Sequence, residues 1–128
     1  MLGIMHVLVV EDQDAIRRMI EALMTARGHT VTVASNGPRA LEAALVSRPD
    51  VVLLDVNLPG GLDGLEVCRR LQADPATAGV TIIMISAMDD TETRDSALAA
   101  GAVAYYTKPF SPTALLKSLD TLAKQKSE

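Results

Sequence analysis

The chain has 128 residues, 48% of them hydrophobic and 22% charged, with a net charge of −4 and a pI near 5.1. That length suits one domain of about 100–200 residues and excludes a second. The acidic balance argues against capture of nucleic acid, which needs a basic face, and no apolar run reaches the ~18–20 residues of a membrane span.

The N-terminal MLGIMHVLVV lacks the basic flank and cleavage site of a secretory signal, which predicts a cytoplasmic protein. His6 opens a first apolar strand, Val7 to Val10, that runs into EDQD: Glu11, Asp12 and Asp14 put three carboxylates in four positions. Asp14 stands just before AIRRMI and reads as the N-cap of a helix whose apolar face carries Ile16, Met19, Ile20 and Leu23. Gly28 stops that helix and His29 follows in a turn. Thr30 to Ala34 is the second strand, and Leu41, Ala44 and Leu45 mark the second helix. The third strand, Val51 to Leu54, is closed by Asp55, and Leu65, Cys68 and Leu71 line the next helix. Cys68 is the only cysteine, so an internal disulfide or a cysteine metal site is excluded, and LEVCRRL predicts a core contact for it. Val80 to Ile85 is the fourth strand, followed by Ser86, an Ala-rich helix over Thr91 to Ala100, and a stop at Gly101. Val103 to Tyr106 is the fifth strand, followed by Lys108 and Pro109. Ser111 and Pro112 cap a last helix with Leu115, Leu116, Leu119 and Leu122, and a polar tail, KQKSE, begins at Lys124.

Five strands alternating with five helices imply an α/β domain, with a parallel sheet covered on both faces through right-handed crossovers. In such sheets ligands bind outside the carboxyl ends of the strands, where strand order reverses. Glu11, Asp12, Asp55, Ser86 and Lys108 all follow strands at that edge. Two like charges ~4 Å apart cost roughly 4 kcal/mol at an effective dielectric near 20, so crowded carboxylates need a cation, a proton or a lysine. If the first and third strands are neighbours, three carboxylates converge, and an all-oxygen donor set favours Mg²⁺, with Mn²⁺ as a substitute.

VLVVEDQD, LLDVNLPG, MISA and YYTKPF stand in the order and at the spacing of receiver domains of two-component response regulators, and the whole chain resembles a single-domain, chemotaxis-type receiver. The resemblance implies a flavodoxin-like (βα)5 three-layer sandwich with strand order 2-1-3-4-5 over residues 1–123, with 124–128 as a short tail. It implies Asp55 as the phosphorylation site, with metal held by Glu11, Asp12, Asp55 and the backbone carbonyl of Asn57. Lys108 and Ser86 then assist as catalytic groups, Ser86 and Tyr105 form the switch, and the Lys108–Pro109 peptide is cis. Tyr106 should face away from Tyr105, because neighbours on a strand point to opposite sides. Phe110 completes an aromatic cluster that reads as a shaped surface.

The implied protein is a signalling receiver and not a dedicated enzyme, although it assists its own phosphorylation and dephosphorylation. With no histidine placed for catalysis, the phosphodonor is expected on a partner, a histidine kinase or histidine phosphotransfer protein. The output is expected to pass through the fourth helix, fifth strand and fifth helix to a downstream protein, with homodimerisation on phosphorylation. One feature departs from the family pattern: LPGGLDG has four residues between Pro59 and Gly64 where three are usual, which predicts a more mobile loop around Gly60 and Gly61. Met88 and Asn57 occupy positions that tune phosphoryl lifetime in the family. Two rival readings remain at this point, a receiver-like binding module that needs no phosphorylation, and a haloacid-dehalogenase-like phosphatase with Asp12 as nucleophile and Asp14 as general acid.

Overall fold

The computed structural model describes residues 3–127. Its elements alternate as β1 (His6–Val10), α1 (Asp14–Ala26), β2 (Thr30–Ala34), α2 (Gly37–Ser47), β3 (Val51–Asp55), α3 (Gly64–Ala73), β4 (Thr81–Ser86), α4 (Thr91–Ala99), β5 (Ala104–Thr107) and α5 (Pro112–Ser127). The strands form one parallel sheet in the order β2-β1-β3-β4-β5, the flavodoxin-like receiver arrangement. Alternation splits the sheet's side chains between two cores. Leu8, Val10, Val52, Leu54, Ile82 and Met84 pack against α2, α3 and α4 on one face. Val7, Val9, Val51, Leu53, Ile83 and Ile85 pack against α1 and α5 on the other. Burial on both faces explains why β1, β3 and β4 read as continuous apolar runs without polar alternation.

Local chemistry sets the helix starts. Asn36, Asp63 and Asp90 each accept a backbone N–H from the third residue on, opening α2, α3 and α4, and the Ser111 hydroxyl accepts the Ala114 N–H in α5. Asp14 is a correction to the sequence reading: the N-cap of α1 is Gln13, which makes no side-chain cap, and Asp14 is the first helical residue. The Gln13 carbonyl accepts the Arg17 N–H at 3.0 Å, the first bond of the helix, so α1 begins one residue earlier than the sequence suggests. The Asp14 carboxylate instead pairs with Arg17 at 2.5 Å, and that hydrogen bond holds its pKa below the ordinary aspartate value. Of the KQKSE segment, residues 124–127 continue the backbone of α5, and Glu128 lies outside the described residues.

Strand ends also run further than predicted. Asp55 and Ser86 are the last residues of β3 and β4, where Asp55 pairs with Ile85 and Ser86 with Thr107. Fixing them inside the ladder makes their side chains part of the rigid sheet.

Candidate functional site

The order of strands reverses between β1 and β3, and the acidic residues lie at that reversal. Glu11 and Asp55 are buried, at 2% and 5% exposure, while Asp12 is exposed. One carboxylate oxygen from each of the three lies within 4.8 Å of the others. The Lys108 ammonium, brought by the loop after β5, donates to Glu11 Oε1 at 2.5 Å and to Asp55 Oδ2 at 2.9 Å. Its backbone N–H donates to the Ser86 carbonyl at 2.7 Å, which fixes the loop to β4, and the Lys108–Pro109 peptide is cis. Burial alone would lower the lysine's pKa, but the hydrogen bonds and charges of Glu11 and Asp55 together outweigh it, so the pKa lies above the ordinary value. Lys108 is therefore a fixed positive charge throughout the neutral range.

Each oxygen of Asp55 has a partner: Oδ2 accepts from Lys108 and Oδ1 accepts the Asn57 N–H at 3.1 Å. Its backbone is gripped from behind, because α3 begins against the end of β3. The Gly64 N–H donates to the Val56 carbonyl at 2.7 Å, and a Cβ on Gly64 would stand 2.0 Å from the Asp55 carbonyl oxygen. Only glycine permits that approach.

The fully buried Ser86 hydroxyl accepts the Met88 N–H at 3.1 Å, and the Met88 carbonyl accepts the Tyr105 hydroxyl at 2.5 Å. Ser86 and Tyr105 are thus joined through a single peptide segment, a link that residue types alone do not reveal because Met88 contributes backbone groups. The three aromatics do not make one surface: Tyr105 packs on the α2–α4 side, whereas Tyr106 and Phe110 pack on the α1–α5 side. Pleating of β5 separates the two tyrosines. Cys68 is buried in α3, its thiol donates to the Ala100 carbonyl, and burial pushes its pKa up to about 11.

The loop with the extra residue turns at Gly60 and Gly61, at φ 90° and 80°. Leu58 and Leu62 on either side pack against the core, and Leu62 lies so close to Gly37 that a Cβ there would stand 2.7 Å from its carbonyl oxygen. The additional length is taken up in an exposed glycine pair between two anchored leucines.

The donor set fits a divalent cation. Three carboxylates against one ammonium leave a formal charge of two negative, and all the clustered donors are oxygens.

The chain is 39% identical over 121 residues to the response regulator PleD of Caulobacter vibrioides, covering 94% of this chain and 26% of PleD. It is 44% identical over 111 residues to the transcriptional regulatory protein CseB of Streptomyces coelicolor, covering 87% of this chain and 46% of that protein. The chain thus spans between a quarter and a half of these relatives. A putative response regulator from Chloroflexus aurantiacus superposes with a TM-score of 0.88 at 31% identity, covering 95% of this chain and 99% of that one. The receiver domain of the sensor histidine kinase PA1611 from Pseudomonas aeruginosa, solved with a magnesium ion coordinated in its active site cleft, gives 0.85 at 31% identity over the same shares. These likenesses set the phosphatase reading aside. The family model for the response regulator receiver domain matches residues 7–120, and the chain belongs to that family.

Proposed function

We propose that this chain accepts a phosphoryl group on Asp55 from a histidine of a partner protein and signals by changing a binding surface. The observation that carries this reading is the Lys108 ammonium bonded to buried Glu11 and Asp55 beside Asp12. In the transfer, a bond forms between an Asp55 oxygen and phosphorus as the donor's P–N bond breaks, leaving the bonding pair on the imidazole nitrogen. Glu11, Asp12, Asp55 and the Asn57 carbonyl would hold a magnesium ion, which would supply positive charge to the phosphoryl oxygens. Lys108 supplies a second positive charge and stays protonated while doing so. The Asn57 N–H keeps the Asp55 carboxylate oriented during the approach.

Phosphorylation replaces one negative charge at Asp55 with about two and adds strong acceptors. Ser86 turns its hydroxyl to the new group and gives up the Met88 N–H. The released Met88 segment no longer holds the Tyr105 hydroxyl, so the change reaches the surface of α4, β5 and α5. That surface meets a downstream protein in the cytoplasm, or a second phosphorylated copy. The phosphodonor is a histidine kinase or a histidine phosphotransfer protein.

Incubation with acetyl phosphate and Mg²⁺ followed by intact-mass measurement tests this. One phosphoryl group is expected on the wild type and none on Asp55→Asn. No labelling of the wild type favours the phosphorylation-independent binding module, and equal labelling of both proteins places the phosphoryl group on a residue other than Asp55.

A further inference from the structure

β2 is an open edge of the sheet, and its sequence TVTVA has none of the lysine, glutamate or proline that keeps such edges from pairing. The Thr30 N–H donates to the Met5 carbonyl and the Ala34 carbonyl accepts the Glu11 N–H, so these residues turn their backbone groups toward β1. By alternation, Val31 and Val33 offer theirs outward. Beside this edge lies a groove of about 280 Å³ lined by Val33, Arg39, Glu42, Ala43 and Val46. Val33 is 41% exposed and Val46 81%. Arg39 and Glu42, one turn apart on α2, are both exposed and form no ion pair among the described residues. Elsewhere the same spacing is used: Glu66 pairs with Arg69 within α3, and Asp14 with Arg17 within α1.

We propose that the β2–α2 edge is an interface with a second copy of this chain, formed without phosphorylation. A two-fold axis sets the two β2 strands antiparallel, so that the outward groups of Val31 and Val33 pair across the axis and one sheet runs through both copies. The same axis runs the α2 helices antiparallel beside the seam, brings Arg39 of each copy to Glu42 of the other, and covers Val33 and Val46. Opposite charges on one small patch are self-complementary, which favours a second copy over a partner of one sign. The pair is also neutral on a chain of net charge −4, so two copies meet there with little repulsion. This edge lies across the sheet from β5 and leaves the α4–β5–α5 surface free.

Sedimentation velocity of the full chain without phosphodonor, from micromolar to submillimolar concentration, tests the proposal. A monomer–dimer equilibrium is expected, weakened about tenfold or more by Val33→Lys and by Arg39→Glu. The double swap Arg39→Glu with Glu42→Arg should restore the dimer, and a native circular-dichroism spectrum of each single variant separates a lost interface from a lost fold. A wild type that stays monomeric, a dimer indifferent to Val33→Lys, or a double swap that does not restore association overturns it.

Discussion

At the scale of single residues, the site is a balance between carboxylates and one lysine. The Lys108 side chain is only 14% exposed, and its single positive charge bridges two carboxylates exposed by 2% and 6%. Breaking a buried pair from one side leaves an uncompensated charge, so Lys108→Met should lose about 2–4 kcal/mol of stability in metal-free buffer. The deficit should shrink as Mg²⁺ is added, because a cation then replaces the missing ammonium. Urea unfolding with and without Mg²⁺ checks this, and equal stability of both proteins without metal would show that Lys108 is not neutralising the cluster. Glu11 and Asp55 were legible in the sequence because each ends an apolar run, where a charge is costly without a partner, whereas Asp12 and Lys108 were singled out by their place beyond the ends of β1 and β5. The Met88 link was not legible, since it uses backbone atoms that any residue carries. Asp14 misled for a related reason: an aspartate before an apolar helix is a sound cap signal, but the Gln13 carbonyl accepts the first helical N–H and takes Asp14 into the helix.

Between elements, the approach of α3 to β3 sets the position of Asp55. Gly64→Ala would force a methyl group to within 2.0 Å of the Asp55 carbonyl oxygen, with backbone on both sides of the clash. The expected cost is about 3 kcal/mol or more, together with displaced amide resonances for residues 55–57. Near-native stability and an unmoved spectrum would mean that the helix can slide away freely. The order of strands and helices was readable from alternating patterns, but their ends were not. The ladder extends through Asp55 and Ser86 because pairing with Ile85 and Thr107 satisfies their backbones, a non-local fact. The extra residue at Gly60 and Gly61 could be counted from sequence, whereas the anchoring of Leu58 and Leu62 required the tertiary structure.

Across the whole molecule, the end of the sheet opposite the acidic site is tied by a different kind of polar contact. The Met5 N–H donates to His29 Nδ1 at 3.1 Å, and Arg27, the C-cap of α1, donates through Nη1 to both carboxylate oxygens of Asp120 on α5. Burial lowers the His29 pKa below 6.5; the Asp120 charge opposes this and Arg27 adds to it. A base with a depressed folded-state pKa favours the neutral fold: stability is fully present above 6.5 and falls as pH drops from there through the folded-state value. Denaturant midpoints at pH 7.5 and pH 5.5 should therefore differ more for the wild type than for His29→Gln, and an identical drop in both would remove His29 from the account. All of these scales meet in the charge left over at the acidic end, which calls for one divalent ion. Isothermal titration calorimetry with Mg²⁺ tests that most directly: one ion should bind per chain, with affinity sharply reduced by Asp12→Asn in a protein that stays folded. No uptake by the wild type, or uptake unchanged by Asp12→Asn, would contradict it.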